Sequence, residues 1–291
     1  SPSGQNYDFN SADASDNITL LALIQRWPLR TRNSLFERAM YQADRLHVFA
    51  AESDSLALVT SSEELKRVLK SREEDSKLIA GLLGTEGSHA LDGDLDNIRR
   101  LYDAGFRMMS LQHFFDNKLG GSLHGESNAG LTEFGREAVR QMDSMGIMID
   151  VSHSSPQVVD DVLNLIDSPL IVSHTGFKGH CDRKRNISDD LMMRIAERGG
   201  LIGVGFWSEA VCGTDVTAIA DAIAYGVETF GVEAVALGSD WDGAVTTPLA
   251  ANDLAYLTSA LLKRGLSENE IRAVMGGNTI QYFLEHLPAT D

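Results

Sequence analysis

Cysteine, proline and long apolar runs are scarce in this 291-residue sequence. The two cysteines, Cys181 and Cys212, lack C-x-x-C spacing, which excludes a cysteine-based zinc site or redox motif. We expect them to be free structural thiols, with a disulfide as the alternative. No apolar run reaches the roughly 18 residues that a membrane span requires, so no transmembrane segment is expected. No proline- or serine-rich linker interrupts the chain, and we therefore predict a single domain over residues 1–291.

Basic residues are outnumbered, with 25 Lys and Arg against 42 Asp and Glu, a formal net charge of −17. A chain this acidic is a poor partner for nucleic acid phosphates or anionic lipid. The sequence begins Ser1-Pro2-Ser3-Gly4 without an initiator Met, from which we expect that a segment upstream was removed or left out. The compartment therefore stays open, either cytoplasmic or exported.

Short apolar runs alternate with amphipathic runs along the chain. The apolar runs lack strict polar alternation, which predicts strands buried on both faces of a parallel sheet. The amphipathic runs carry helix signals, such as Ser155-Pro156 at a helix start and capping boxes that begin at Ser61 and Ser267. Seven strands are predicted, at Ile18–Ile24, Leu78–Leu83, Phe106–Leu111, Gly146–Val151, Leu170–Val172, Leu201–Phe206 and Ala234–Leu237.

Strand and helix in repeated alternation predict a parallel α/β fold. We favour a TIM-like (β/α)8 barrel of the metal-dependent hydrolase type over a doubly wound sheet, because no glycine fingerprint follows the first strand. Such a barrel needs eight strands, so one strand is expected to be missing from this chain.

Polar residues that can bind metal or move protons follow five of the predicted strands. They are Glu86, His113, His153, His174 and Asp240. In parallel barrels the carboxyl ends of the strands are where catalytic groups gather. The pattern therefore predicts one site built from several strand ends.

His153 and His174 are the most informative pair, since each follows an apolar strand and the dipeptide Val-Ser. Adjacent parallel strands lie about 4.8 Å apart, so two imidazoles at matched strand ends can reach one zinc ion. A hydrogen-bonded structural histidine is the alternative for each. For Glu86 the alternatives are a metal ligand and a strand-end carboxylate bonded to backbone amides. A turn suits Asp242, next to Gly243, better than Asp240.

The remaining histidines lack strand-end context. We expect His47 on a helix face and the others on the surface or in loops, namely His89, His124, His180 and His286.

An ordered set of motifs resembles the renal (membrane) dipeptidase family of zinc peptidases. Each motif is weak alone, but together they cover about residues 30 to 285 in the family's order. They are Gly84-Thr85-Glu86-Gly87, Ser110-Leu111-Gln112-His113, Gly130–Gly135, Gly146–His153, Ser173-His174, Arg185–Asp190, Gly238–Gly243 and Gly276-Gly277-Asn278.

The resemblance implies a (β/α) barrel that holds two zinc ions, bridged by a carboxylate and a water, and that hydrolyses dipeptides with a metal-activated water. Glu86 matches the bridging ligand. His153 and His174 match two ligands of one zinc.

The resemblance also implies roles around the substrate, a small peptide. His113 matches a histidine near the scissile carbonyl, and Asp240 matches the acidic residue that handles protons at the reacting amide. Arg185 matches the residue on the substrate's carboxylate side, where a guanidinium can form a bidentate fork. Without the resemblance, a solvated charged loop is the alternative for Arg185.

One departure from the family pattern concerns the second zinc. The family's first strand ends in a His-x-Asp pair, whereas no His precedes His47 here. The run Ile18–Ile24 resembles the family's second strand, so the pair is expected upstream or lost, with about one tight zinc left. The alternatives are another metal-dependent amidase or lactonase on the same barrel, and a degenerate family member that binds peptides without hydrolysis. A homodimer stays open.

Overall fold

The computed structural model describes residues 17–243 and 245–290, which divide into two compact units. The first unit comprises residues 17–149, 153–166 and 283–290, and the second comprises residues 150–152 and 167–282. Within the described part of the chain, no helix combines the length and the apolar character that crossing a membrane would demand.

Twelve α-helices occur in the described residues, most of them placed between strands. They are α1 Asn17–Ile24, α2 Leu35–Ala51, α3 Ser62–Ser71, α4 Asp96–Asp103, α5 Glu133–Ser144, α6 Pro156–Leu165, α7 Asp189–Glu197, α8 Ser208–Val211, α9 Val216–Phe230, α10 Leu254–Lys263, α11 Glu268–Arg272 and α12 Asn278–His286.

Eight strands occur in the same residues, and every pairing between them that we describe is parallel. They are β1 Leu56–Leu58, β2 Ile79–Gly81, β3 Leu83–Thr85, β4 Phe106–Ser110, β5 Met148–Asp150, β6 Ile171–Thr175, β7 Leu201–Val204 and β8 Val235–Leu237. In the first unit β1 pairs with β2, and β3 pairs with β4. In the second unit Asp150 at the end of β5 pairs with Ile171, and β6, β7 and β8 are successive neighbours.

The predicted helix starts are confirmed by side-chain caps. The Ser155 side chain accepts the backbone N–H of Val158, and Pro156 is the first residue of α6. At Ser267 a reciprocal capping box starts α11. At Ser61 the hydroxyl caps α3, whereas the Glu64 carboxylate accepts the N–H of Thr60 in place of that of Ser61. These caps fix where each chain segment turns from strand to helix.

Five of the seven predicted strands are found at their expected places, and two predictions need correction. The run Ile18–Ile24 lies in helix α1, because a short, mostly apolar run without alternation suits a buried strand and a helix equally. Its assignment as the family's second strand is therefore wrong, and residues 1–16 lie outside the described residues. The run Leu78–Leu83 is not one strand: it contains β2 and only the first residue of β3, and β2 pairs with the unpredicted β1 whereas β3 pairs with β4.

The expectation of free thiols is also wrong, since Cys181 and Cys212 form a disulfide with Cα atoms 5.5 Å apart. Cys181 follows β6 and Cys212 follows β7 and α8. Because β6 and β7 are neighbouring strands, the segments after them meet, although 31 residues separate the two cysteines in sequence.

Candidate functional site

All six candidate residues lie at or beyond the carboxyl end of a parallel strand. Glu86 directly follows β3, and His174 is the second-last residue of β6. His113, His153 and Asp240 each lie three positions after the last residue of their strand, which is β4, β5 and β8 respectively. Arg185 lies in the connection from β6 to α7. Glu86, His113 and His153 belong to the first unit, and the other three belong to the second.

Three of these side chains meet in the first unit. The Glu86 Oε1 atom lies 3.0 Å from Nε2 of His153 and 3.5 Å from Nε2 of His113. The His113 and His153 rings are nearly perpendicular, with centroids 4.7 Å apart. His153 is buried, with 5% of its side chain exposed, whereas Glu86 is 42% and His113 21% exposed. His153 is thus the buried member of this cluster, and Glu86 is its most solvent-exposed member.

The turn after Glu86 depends on glycine. Gly87 has φ of 98°, a left-handed conformation that side chains disfavour. A Cβ at this position would lie 2.2 Å from the His89 ring and 3.2 Å from the Cβ of His113. Gly87 therefore lets His113 approach the backbone that carries Glu86.

A serine joins the backbones of the two histidines in this cluster. The Ser122 hydroxyl lies 2.6 Å from the carbonyl of His113 and 3.3 Å from that of His153, and Leu123 donates its N–H to the same His153 carbonyl at 2.8 Å. The long connection between β4 and α5 thus folds back over the site. Its geometry fixes the spacing of the two imidazoles through their main chains.

The same connection brings in two rings that the sequence did not identify. The Phe114 ring centroid lies 4.5 Å from that of His113 and 5.7 Å from that of His153. His124, expected on the surface or in a loop, lies in this loop with its ring 5.1 Å from that of Phe114 and 5.8 Å from that of His153. His124 does not directly follow a strand, so the sequence pattern of strand ends could not identify it, and only the fold of the loop shows that it lies beside His153.

Asp116 organises this loop from the inside. Its buried carboxylate accepts the backbone N–H of Ser122 at 2.8 Å on Oδ1, and those of Glu126 at 3.1 Å and Ser127 at 3.0 Å on Oδ2. Gly125 packs so closely that a Cβ there would overlap the carboxylate. The loop is consequently wrapped around one charged group.

His174 lies in a buried hydrogen-bond network of the second unit. Asp150 accepts N–H and hydroxyl groups from both Ser152 and Ser173, and Ser173 Oγ lies 2.8 Å from Nδ1 of His174. Asp150 is 2% and His174 8% exposed. Burial, and then the charge of Asp150, raise the pKa of Tyr282 far above its usual value, so that phenol stays neutral and donates to the Pro169 carbonyl.

Arg185 is buried and holds strand ends together. Its Nη1 donates to the Ser152 carbonyl at 2.8 Å and to the Thr175 hydroxyl at 3.0 Å, and its Nη2 donates to the His174 carbonyl at 2.8 Å. The guanidinium also lies over the Trp207 ring at 5.4 Å. These hydrogen bonds and the ring contact orient the guanidinium. The alternative of a solvated charged loop does not fit a residue that is only 6% exposed.

The loop that carries Arg185 is fastened next to it. Asn186 donates from Nδ2 to the carbonyls of Cys181, Glu209 and Ala210, while the Cys181–Cys212 disulfide joins the same segments. The connections after β6 and β7 are therefore joined both covalently and by hydrogen bonds.

Asp240 lies in a tight turn after β8. Its φ of 57° is left-handed, which Asp tolerates better than most residues, and its carbonyl accepts the N–H of Gly243 at 3.0 Å. A Cβ on Gly243 would lie 2.3 Å from Oδ1 of Asp240, so the carboxylate folds over the glycine. Asp242 is exposed in the same turn, as the turn signal predicted.

The profile of the membrane dipeptidase family (peptidase family M19) matches residues 16–286 of this sequence. The chain belongs to this family. Dipeptidase 3 from Homo sapiens is 30% identical over 257 residues, which cover 84% of this chain and 51% of that protein. The chain thus spans about half the length of the curated dipeptidases that it matches.

Solved structures confirm the predicted fold class, a parallel α/β fold of the (β/α)8-barrel type. A probable dipeptidase from Pseudomonas aeruginosa superposes with a TM-score of 0.77 at 20% identity, covering 85% of this chain and 78% of that one. A metallo peptidase from Rhodobacter sphaeroides, liganded with a phosphinate mimic of the dipeptide L-Ala-D-Ala, gives 0.73 at 24% identity, covering 85% and 73%.

The donor atoms of the first unit fit the metal that a metallopeptidase family implies. Carboxylate oxygen and imidazole nitrogen are zinc ligands, and tetrahedral bonds of about 2.0–2.1 Å place two ligand atoms about 3.3 Å apart. The Glu86 oxygen lies 3.0 and 3.5 Å from its two imidazole nitrogens, on either side of that value. The geometry alone therefore accepts His113 as a ligand beside His153, whereas the sequence assigned His113 to the substrate.

Proposed function

We propose that this chain is a zinc-dependent dipeptidase that hydrolyses the peptide bond of small peptides. The observation that carries the proposal is the convergence of Glu86, His113 and His153 at parallel strand ends in a member of the membrane dipeptidase family. Zinc, when bound, supplies a Lewis acid that polarises the scissile carbonyl and activates a water molecule.

Glu86, His153 and His174 are the proposed zinc ligands. Glu86 and His153 are supported by the 3.0 Å approach of their donor atoms. His174 is supported by its place at the end of β6, which matches the place of His153 after β5, and by the family pattern. Two imidazoles and a carboxylate would leave a coordination position for water or substrate.

We assign His113 to the substrate and not to the metal. Its Nε2 atom lies farther from Glu86 Oε1 than that of His153, and its side chain is four times as exposed. An imidazole N–H at the edge of the cluster can donate to the oxygen of the scissile carbonyl as negative charge develops there.

Asp240 and Arg185 complete the proposed chemistry. Asp240 would carry a proton to the leaving amine, because an unprotonated amine leaves poorly. Arg185 would bind the free carboxylate of the substrate through its guanidinium, whose planar fork matches the geometry of a carboxylate. A requirement for that carboxylate would restrict the enzyme to very short peptides. Binding of a dipeptide mimic by the similar metallo peptidase supports this substrate class.

A non-catalytic peptide-binding function is the second candidate, and one observation favours it. The sequence has no His-x-Asp pair before His47, so the second zinc of the family lacks two of its ligands within these residues. A chain that held one zinc could bind a peptide without hydrolysing it.

Zinc binding and dipeptide hydrolysis by the same metal-free, purified chain separate these candidates. We expect about one tightly bound zinc per chain and hydrolysis that appears only when zinc is added. Zinc binding with no cleavage across a dipeptide panel would instead support the non-catalytic candidate. Cleavage of simple amides or lactones in place of dipeptides would point to a different hydrolase, and absence of tight zinc binding would refute the metal centre.

A further inference from the structure

We infer that Asp150 and Ser173 hold His174 in one tautomer, with its proton on Nδ1 and the lone pair on Nε2. This makes them positioning residues for the proposed zinc ligand, and in that respect the inference rests on the proposed function. The relay lies entirely within the second unit and joins the end of β5 to β6.

The proton positions follow from the partners of Asp150. Its carboxylate receives two backbone N–H groups, from Ser152 and Ser173, each at 3.0 Å. It also receives two hydroxyl groups at 2.6 Å, Ser152 Oγ on Oδ1 and Ser173 Oγ on Oδ2. A backbone N–H can only donate and an ionised carboxylate can only accept, so Asp150 collects donors on both oxygens.

A serine hydroxyl has one proton, and Ser173 Oγ has three described partners: Asp150 Oδ2 at 2.6 Å, His174 Nδ1 at 2.8 Å and Ser152 Oγ at 2.9 Å. The shortest of these contacts is in the range of charge-assisted hydrogen bonds between a hydroxyl and a carboxylate, so the Ser173 proton lies toward Asp150. Toward Nδ1 of His174, 2.8 Å away, the Ser173 oxygen must therefore accept. The imidazole consequently donates from Nδ1, which leaves the lone pair on Nε2.

The opposite arrangement breaks the network. If Ser173 donated to Nδ1, Asp150 would lose its hydroxyl donor on Oδ2 although the carboxylate is only 2% exposed. A buried carboxylate oxygen without its donor is costly, so the chain Asp150–Ser173–His174 has one favourable direction.

The relay also fixes the ring. The main-chain N–H of His174 donates to Ser152 Oγ at 3.2 Å, and its carbonyl accepts from Arg185 Nη2 at 2.8 Å. Because Nδ1 is also bonded to Ser173, His174 is restrained both at its main chain and at its ring. Carboxylates behind metal-binding histidines typically raise metal affinity by 10- to 100-fold, and here a serine hydroxyl transmits that effect.

Nitrogen NMR of the metal-free full chain, labelled with ¹⁵N-histidine, tests the inference directly. Two-bond correlations between ring protons and nitrogens report which nitrogen carries the proton, and the His174 signals are assigned by their loss in His174→Gln. We expect His174 to be protonated on Nδ1 in the native sequence. In Ser173→Ala we expect a mixture of tautomers or a switch to Nε2–H.

Ser152→Ala is the matched control, because Ser152 also donates a hydroxyl to Asp150 and lies 2.9 Å from Ser173 Oγ, while its described contact with His174 is to the main-chain N–H and not to the ring. We expect it to leave the His174 tautomer unchanged. Zinc affinity should fall by about 10- to 100-fold in Ser173→Ala and by less in the control.

Two results would overturn the inference: an Nε2–H tautomer in the native chain, or an unchanged tautomer together with unchanged zinc affinity in Ser173→Ala. An Nδ1–H tautomer in a native chain that binds no zinc would support the relay and refute the proposed function instead.

Discussion

Replacing Asp116 by Ala should open the loop that covers the histidine cluster. The buried carboxylate holds the N–H groups of Ser122, Glu126 and Ser127 at 2.8–3.1 Å. The Ser122 amide is buried and costs about 1–3 kcal/mol when left without a partner, whereas the part-buried amides of Glu126 and Ser127 each lose a hydrogen bond with a net value of about 0.5–1.5 kcal/mol. The closed loop would therefore lose about 2–6 kcal/mol, a large part of the stability of a typical domain, about 5–15 kcal/mol.

The loop of the variant can open locally at a lower cost in free energy, which limits the loss of stability that is observed. When the segment opens, its amides bind water, and the loss is then capped by the free energy of local opening. We expect a fall of about 3–5 kcal/mol in the protection of this loop, with a smaller fall in Tm. Asp116→Asn should be intermediate, because its single amide oxygen can serve two of the three N–H groups at best.

Hydrogen exchange at the three amides measures this opening. A loss of about 2.8 kcal/mol accelerates exchange 100-fold, so Asp116→Ala should accelerate it by at least that factor. Asp94→Ala is the control, since this exposed carboxylate also accepts one backbone N–H, that of Asp96 at 3.0 Å. Native-like exchange at Ser122, Glu126 and Ser127 in Asp116→Ala would refute the role assigned to the carboxylate.

Four further predictions concern the proposed centre. His153→Ala should lose bound zinc and most activity, and normal zinc content by elemental analysis would remove it as a ligand. His113→Ala should keep zinc and lower kcat by about 10²–10³, as for a lost oxyanion donor, whereas zinc loss would move His113 into the ligand set. Because Arg185 is proposed to bind the terminal carboxylate, kcat/KM should be lower for a C-terminally amidated dipeptide than for the free one. The expected fall corresponds to a loss of about 2–5 kcal/mol in transition-state binding, and equal turnover of both forms would count against that role. Asp240→Asn should retain zinc while kcat falls by about 10²–10⁴, and a near-normal kcat would exclude it from proton transfer.

The strand ends were the part of the site that the sequence could predict. A buried strand followed by a histidine or a carboxylate is a local pattern, and parallel topology then places such residues at one edge of a sheet. Local patterns also located the caps at Ser155 and Ser267. The run Ile18–Ile24 failed because its length and composition do not distinguish strand from helix.

The remaining features depend on contacts that no local pattern encodes. Cys181 and Cys212 meet because β6 and β7 are neighbours, and their spacing of 31 residues contains no sign of this. His124 reaches the site because the loop is wound around Asp116, ten residues before Glu126, which it binds. Interactions at such separations are decided by tertiary packing.

Four carboxylates named above differ in what they bind, and we relate this difference to two roles, the positioning of other groups and the proposed reaction. Asp116 and Asp150, 6% and 2% exposed, are surrounded by backbone N–H and hydroxyl donors. Both oxygens of each of these carboxylates accept hydrogen bonds from the protein. Glu86 is 42% exposed and faces imidazole nitrogens, and Asp240 is only partly buried. We therefore propose metal binding and proton transfer for the second pair, whereas the first pair holds the loop beside His113 and His153 and the serine hydroxyl next to His174.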